Sequence, residues 1–408
     1  MVLIMKKTLT FIGIAALLVL GVTTESQAQK SRVRYADEQM DLMNYTDALT
    51  IYKAAYAKKP NYTTARKTAQ AYDQIKDYSE SYGWWKTVAG YDEATTDDYT
   101  QLLRIGILSD KFEDANAVIT AKGLSADSLG VSPVTIGKSA RNLKLSAVEG
   151  INSTESDFSM VEDAQGNRYF VSDRGGSFTK EMPGIRIDGR NKFFSQESSG
   201  QTGRSYFSVY KQAKGGEITK VISQVPGSLN FSDPSYAVKD NLLFYSVTRS
   251  ITKVKKNRNI TVQPEIYYSK VGADGSLEGF TAVPFNDSLG YAVMHPFVDE
   301  ETRRLYFSSD MPGGMGGYDL YYSEYDANMV FGTPVNLGPG VNTAGNETHP
   351  FRKGSKFYFS STGHKGMGGM DIFEAGYTAA SITNAVNMGS PINSIADDFA
   401  YREDKDRT

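Results

Sequence analysis

The chain has no cysteine, three histidines and two tryptophans in 408 residues. Without cysteine there is no disulfide, no thiolate to bind zinc or attack a substrate, and no cysteine for lipid attachment. Three histidines leave little for imidazole-based catalysis. No Gly-x-Ser-x-Gly elbow with a following acid and histidine occurs, and no His-Glu-x-x-His. His295 and His349 stand at the same place in consecutive repeats, each before Pro-Phe, and that recurrence reads as structural. His364 lies in the turn Ser361-Thr362-Gly363-His364-Lys365, with nothing near it in sequence to pair with. The paired carboxylates Asp97-Asp98 and Asp397-Asp398 fall at turns or helix starts, where such pairs are solvated caps. Asp319 and Asp371 have calcium-type chemistry, but two carboxylates one repeat apart do not make one site. The expectation is a chain that is not an enzyme and carries no catalytic residue, cofactor or metal.

Charge of one sign is scarce as well. Lys and Arg number 44 against 47 Asp and Glu, a net charge of −3, so neither nucleic acid nor anionic lipid is an expected partner. The apolar run Phe11 to Val22 is too short for a comfortable membrane span. It follows Lys6-Lys7 and precedes the small-x-small site Ser26-Gln27-Ala28, so residues 1–28 read as a secretory signal peptide, with Met5 as an alternative start. The mature chain is expected to be exported.

What is plentiful is Tyr (26), Phe (20) and Gly (38), the composition of a protein of many short strands and turns. One unit is written twice. Tyr306-Phe307-Ser308-Ser309-Asp310 leads to Gly314-Met315-Gly316-Gly317-Tyr318-Asp319-Leu320-Tyr321, and Tyr358-Phe359-Ser360-Ser361-Thr362 leads to Gly366-Met367-Gly368-Gly369-Met370-Asp371-Ile372-Phe373. Phe307 to Phe359 and Asp319 to Asp371 are both 52 residues, so the unit repeats in register. Each copy reads as two short strands, the first with one buried face. The glycines between them permit positive φ, and the Asp is placed to accept backbone N–H groups in the turn. Gly-Met-Gly-Gly is not a phosphate loop, because a strand rather than a helix follows.

From Ser31 to Lys122 the period is helical. Tyr45, Ala48, Tyr52, Ala55 and Pro60 are spaced +3, +4, +3, +5; Tyr78, Ser81, Trp85, Val88 and Phe112, Ala115, Ile119, Lys122 repeat the first spacings. The anchors Tyr45, Tyr78 and Phe112 lie 33 and 34 residues apart, and this resembles the tetratricopeptide repeat. Ala36 and Gly106 are small packing positions of the first helices. Three such repeats just bury a continuous core. Residues 123–141 form a linker.

Beyond it three landmarks recur: an opener (Ser156-Asp157-Phe158, Ser232-Asp233-Pro234, Met294-His295-Pro296-Phe297, Thr348-His349-Pro350-Phe351, Asp397-Asp398-Phe399), an aromatic strand and a strand of paired aromatics. A fourth strand separates the units. Four strands per unit repeated around a ring is a β-propeller. The fold class is therefore a multidomain α plus all-β chain: a tetratricopeptide α-solenoid over 31–122, then a propeller over 142–408 with four complete blades and a fifth incomplete. Asn142-Leu143-Lys144-Leu145 is expected to supply the last strand of the fifth blade, whose other strands would come from beyond Thr408.

The blade signature Phe-Ser-Ser-Asp … Gly-Gly-Tyr-Asp-Leu-Tyr resembles TolB-type, WD-like propeller repeats. Signal peptide, tetratricopeptide repeats and TolB-like propeller, in that order, resemble the OmpA-family envelope proteins of Bacteroidota, in particular their PorE/SprD-like branch. That resemblance implies a periplasmic, outer-membrane-associated scaffold or adaptor in type IX protein secretion or gliding motility. Its expected partners are outer-membrane or periplasmic proteins of the complex, with peptidoglycan bound only through a C-terminal domain this sequence lacks. A periplasmic peptide- or glycan-binding propeller is the alternative.

Two insertions between second and third strands carry the candidate partner-binding residues. Arg174 to Arg204 holds Arg174, Lys180, Arg186, Arg190, Lys192 and Arg204; Thr248 to Pro264 holds Arg249, Lys253, Lys255, Lys256 and Arg258. Insertions at equivalent places on adjacent blades emerge on one face. The expectation is a basic, loop-built docking surface on a slightly acidic protein.

Overall fold

The computed structural model describes residues 30–131, 144–175, 198–214, 216–250 and 261–403. The chain divides into two compact units, one helical and one of strands. Among the described residues no helix is long and apolar enough to cross a membrane.

The helical unit contains α1 (30–41), α2 (Tyr45–Lys58), α3 (Tyr62–Gln74), α4 (Tyr78–Ala89), α5 (Thr96–Leu108) and α6 (Phe112–Thr120). The three anchors Tyr45, Tyr78 and Phe112 are the first residues of the second helix of each pair. Side-chain caps set the starts of α3, α4 and α5: the Asn61 side chain accepts from Thr64 N–H, Asp77 accepts from Glu80 N–H, and Thr95 and Asp98 form a reciprocal capping box. Pro60 and Lys122 lie past the ends of their helices and are exposed, so the apolar pattern is one position shorter than its spacing suggests. Ala36 is fully buried. Gly106 permits close approach of α5 and α6, since a Cβ there would lie 2.8 Å from the Ala115 Cβ. Phenols donating to carboxylates add ties, each at 2.6 Å: Tyr52 to Asp37 within the first pair, and Tyr62 to Asp98 and Tyr82 to Asp114 between the second and third. Residues 199–203 belong to this unit, where Thr46 N–H and Oγ1 both donate to the Gly200 carbonyl.

The second unit is a ring of four antiparallel blades. They are β1–β4 (Asp157–Glu162, Arg168–Ser172, Ser208–Gln212, Ile218–Lys220), β5–β8 (Ser228–Ala237, Leu242–Arg249, Glu265–Val271, Leu277–Ala282), β9–β12 (Val293–Asp299, Arg304–Ser309, Asp319–Glu324, Val335–Asn336) and β13–β16 (Glu347–Lys353, Lys356–Ser361, Asp371–Tyr377, Ile382–Asn387). In each blade the strands lie in chain order, and the first strands of neighbouring blades are adjacent. The first strands therefore line the axis.

The second strands are buried on both faces, not one. Tyr306 and Phe307 of β10 are both fully buried. Phe307 packs towards the second blade with Phe244 and Ile266, while Tyr306 packs towards the fourth with Phe357 and Phe373. A blade in a ring has a neighbour on each side, so alternation along its inner strands sorts residues between two cores instead of between core and water.

The glycine turns also differ from expectation. Gly316, Gly317, Gly368 and Gly369 do not have positive φ. Their lack of a side chain admits the chain leading into the next blade: a Cβ on Gly316 would strike Thr343 O and Ala344, and one on Gly368 would strike Ala396 O and Ile395. The Asp of the turn does what its position suggests. Asp319 accepts from Met315 N–H (2.6 Å) and Gly316 N–H (3.3 Å), and Asp371 accepts from Met367 and Gly368 (2.9 and 3.2 Å).

After β16 the chain repeats the lead-in of a fifth blade. Asn393 brackets Ile372 N–H and C=O at 2.8 Å each, as Asn342 brackets Leu320 and Asn286 brackets Ile266. Asp398 N–H donates to Met370 O, as Glu347 N–H donates to Tyr318 O. Residues 399–403 then continue without a strand. Lys144 and Leu145 carry no strand either, and Asn142 and Leu143 lie outside the described residues.

Candidate functional site

The four first strands share one irregularity. Each has a bulge where register shifts against its second strand, and a non-glycine residue there has positive φ: Ser159 (51°), Asp233 (54°), His295 (53°) and His349 (49°). Ala400 (60°) takes the same conformation in the fifth lead-in. In three of the five the next residue is proline (Pro234, Pro296, Pro350), which suits a bulge because no ladder N–H is needed there. Non-glycine residues at positive φ are uncommon, and such strain clusters at functional sites.

The bulge brings equivalent side chains together at the axis. Asp233, His295 and His349 come from β5, β9 and β13 of three different blades, and one ligand-type atom from each lies within 4.8 Å of the others. His295 Nε2 is 3.9 Å from Asp233 Oδ2, and His349 Nε2 is 3.7 Å from Asp233 Oδ1. The two imidazoles stack at 3.8 Å between centroids and 24° between planes. Phe399 packs on His349 at 5.0 Å and on Phe158 at 5.4 Å.

Each member is anchored from behind. His295 N–H donates to Ser246 Oγ (3.0 Å), and its Nδ1 meets Ser308 Oγ at 3.3 Å. His349 Nδ1 meets Thr348 Oγ1 at 3.0 Å, and that hydroxyl donates onward to Met370 Sδ. Ser232 Oγ donates to Asp233 Oδ2 at 2.8 Å. Burial pushes His295 down to about 3, and the adjacent His349 adds to this against the pull of Asp233. Near pH 7 His295 is therefore neutral. Burial works against the Asp233 charge, but His295, His349 and the Ser232 hydroxyl outweigh it and hold the carboxyl below its usual range. The arrangement is a buried carboxylate facing two imidazole Nε2 atoms across a gap too long for an N–H···O bond.

His364 plays a different part. Its Nδ1 meets Ser361 Oγ at 3.0 Å, and its ring packs on Phe359 and Phe373. Ser361 is buried and donates to Glu347, so this trio closes a turn and offers no exposed nucleophile. Asp319 and Asp371 are occupied by backbone N–H groups in separate blades.

The basic candidates are distributed as follows. Arg174 donates from Nη2 to Asp157 Oδ1 (2.6 Å) and Ile151 O (2.7 Å) and lies over Phe170 and Tyr210. Arg249 Nε donates to Glu265 Oε2 at 2.6 Å. Arg204 pairs with Glu155 and with Asp173, the latter at 2.9 Å. Lys180, Arg186, Arg190, Lys192, Lys253, Lys255, Lys256 and Arg258 lie outside the described residues. In the helical unit, Tyr56 and Trp84 meet edge to face at 4.9 Å and wall a groove of about 280 Å³ with Ser79, Glu80, Gly83 and Thr87.

No protein-family model matches the chain, and no curated protein matches it. Solved structures do. An endo-arabinase from Bacteroides thetaiotaomicron is 12% identical over 60% of this chain and 83% of its own, with a TM-score of 0.38. A thermostable family-43 glycoside hydrolase is 13% identical over 61% and 77%, at 0.36. A prolyl endopeptidase is 13% identical over 57% of this chain and 29% of its own, at 0.33. These findings correct the expectation that the chain is not an enzyme. The solved structures it is similar to are hydrolases and peptidases, and the exclusion is withdrawn. Its physical premise fails too, because the histidines set aside as recurrent structure converge with a carboxylate at the axis. At these identities and TM-scores the likeness brings neither activity nor substrate to this chain.

Proposed function

We propose that this chain is a partner-binding adaptor in an exported, outer-membrane-associated assembly of the kind that serves type IX secretion or gliding motility. The observation that carries this reading is the unequal length of equivalent connections. Blades three and four pass from second to third strand through 310–318 and 362–370, whereas blades one and two use 173–207 and 250–264. The blade needs only the short form, and chain beyond what the fold needs is where binding surfaces are built. The long connections hold the basic residues. The aromatic-walled groove at Tyr56 and Trp84 adds a surface suited to an apolar peptide side chain.

Reversing the charges at Lys253, Lys255, Lys256 and Arg258 together is expected to abolish co-purification with envelope proteins after crosslinking in the native cell. Co-purification at the original level overturns the loop-docking part of the proposal.

The alternative of a peptide or glycan held in the propeller channel needs open space along the axis. At the level of the bulges part of that space is occupied, with His295 stacked on His349 and Phe399 packed between His349 and Phe158. This level suits an ion-sized ligand.

A further inference from the structure

We propose that Asp233, His295 and His349 bind one divalent transition-metal ion of the zinc type at the propeller axis. Four features of the site support this.

The donor set is of the right chemistry. Two imidazole nitrogens and one carboxylate favour zinc and its first-row neighbours over calcium or magnesium, which take all-oxygen shells. The spacing is close to what an ion needs. His349 Nε2 lies 3.7 Å from Asp233 Oδ1 and His295 Nε2 lies 3.9 Å from Asp233 Oδ2, and one ligand atom from each residue lies within 4.8 Å of the others, against roughly 3.3–3.6 Å between neighbouring ligands on a tetrahedral zinc with ~2.0–2.2 Å bonds. A contraction of a few tenths of an ångström closes the site.

The outer contacts are those of metal ligands. Each imidazole is held at Nδ1 by a hydroxyl, Ser308 for His295 and Thr348 for His349. Such contacts orient the ring and leave Nε2 free for an ion. The rings lie 24° from parallel, so one ion can lie in both ring planes only if the planes open towards each other. A single hydroxyl contact on each ring is a pivot for that rotation.

In the unloaded cluster Asp233 is buried with the Ser232 hydroxyl as a hydrogen-bond donor, and its two imidazole neighbours stand beyond hydrogen-bond distance. A cation in the gap supplies the countercharge that burial demands. No other place in the chain can offer the same donors, because there is no cysteine and one histidine remains.

The experiment is equilibrium dialysis of Zn²⁺ against the chelator-stripped, untagged full chain, followed by X-ray absorption at the zinc edge. One ion per chain is expected, at micromolar dissociation constant or tighter, with two imidazoles and oxygen ligands in the first shell. Asp233→Asn and His349→Gln should each weaken binding at least tenfold, and Ser308→Ala by about tenfold through the outer contact. His364→Gln removes the one histidine outside the cluster and should leave affinity unchanged. Should a ligand variant fail to fold, the absorption spectrum of the native chain and the His364→Gln titration still decide. The proposal is overturned by the absence of saturable binding, by loss of binding in His364→Gln, or by a first shell without two imidazoles.

Discussion

Replacing Asp319 with alanine is expected to lower the stability of the propeller unit by about 3–6 kcal/mol, from its two short hydrogen bonds to a charged acceptor at roughly 1.5–3 kcal/mol each. Asp319 is fully buried and accepts from three donors: Met315 N–H at 2.6 Å, Gly316 N–H at 3.3 Å and Asn336 Nδ2 at 2.8 Å. Alanine leaves those donors in a place that water does not reach, so the loss includes their desolvation. The effect spreads, because the same turn holds Gly316 against Thr343 and Ala344 at the entry to the fourth blade. Urea unfolding followed by tyrosine near-ultraviolet circular dichroism reads both units, since ten of the 26 tyrosines lie before residue 132. Tryptophan fluorescence supplies a control, since both tryptophans, Trp84 and Trp85, lie in the helical unit. The propeller transition should move and the tryptophan transition should not. A shift under about 1 kcal/mol, the size of one ordinary hydrogen bond, contradicts the role given to this carboxylate.

Arg352→Met is expected to cost a similar amount, about 3–5 kcal/mol, because it strips the countercharge from a buried carboxylate. Arg352 rises from β13 of the fourth blade with its side chain 5% exposed and grips Asp299 of the third, Nε to Oδ2 at 2.5 Å and Nη2 to Oδ1 at 2.9 Å. Its guanidinium also donates to Gly354 O and Glu301, and lies over the Tyr377 ring at 5.0 Å. Without it Asp299 keeps Thr302 Oγ1 and Glu301 N–H but no cation. Arg352→Lys keeps the charge and loses the two-pronged fork, so it should fall between. The double variant Arg352→Met with Asp299→Leu should recover most of the loss, since a buried pair replaced by apolar groups of similar size is often neutral. Equal instability of the double and single variants would mean that packing, not the orphaned charge, sets the cost.

Much of this fold was legible because repeats print their rules more than once. Tyr45, Tyr78 and Phe112 mark helix starts, and the Asp of each Gly-Gly turn takes the backbone N–H groups its place predicts. The glycines were legible as positions but not as reasons, because the atoms they make room for, around Thr343 and Ala396, come from the following blade. The axial cluster was hidden by a rule that holds for linear chains and fails in rings. A residue recurring at one place in successive repeats looks structural, yet in a propeller the first strands meet at the axis, so recurrence there means convergence. The signal was present in the openers Asp233-Pro234, His295-Pro296 and His349-Pro350. Their shared proline marks the bulge, and the residue before it is the one turned inward. The docking residues show the opposite case. Arg174 and Arg249 belong to basic insertions by sequence, but Asp157 and Glu265 take up their charge, and no local spacing reveals those partners.

Convergence on the axis is the central claim, and a double-mutant cycle between Asp233→Asn and His349→Gln measures it directly. These residues lie in the second and fourth blades, far apart in sequence, with their side chains 3.7 Å apart in the structure. The coupling free energy in urea unfolding, with Zn²⁺ removed by chelator, should exceed about 0.5 kcal/mol, because residues in contact couple by about 0.5–3 kcal/mol. Additivity within about 0.3 kcal/mol, as for sites that share no partners, would place the two residues on independent blades and contradict the account.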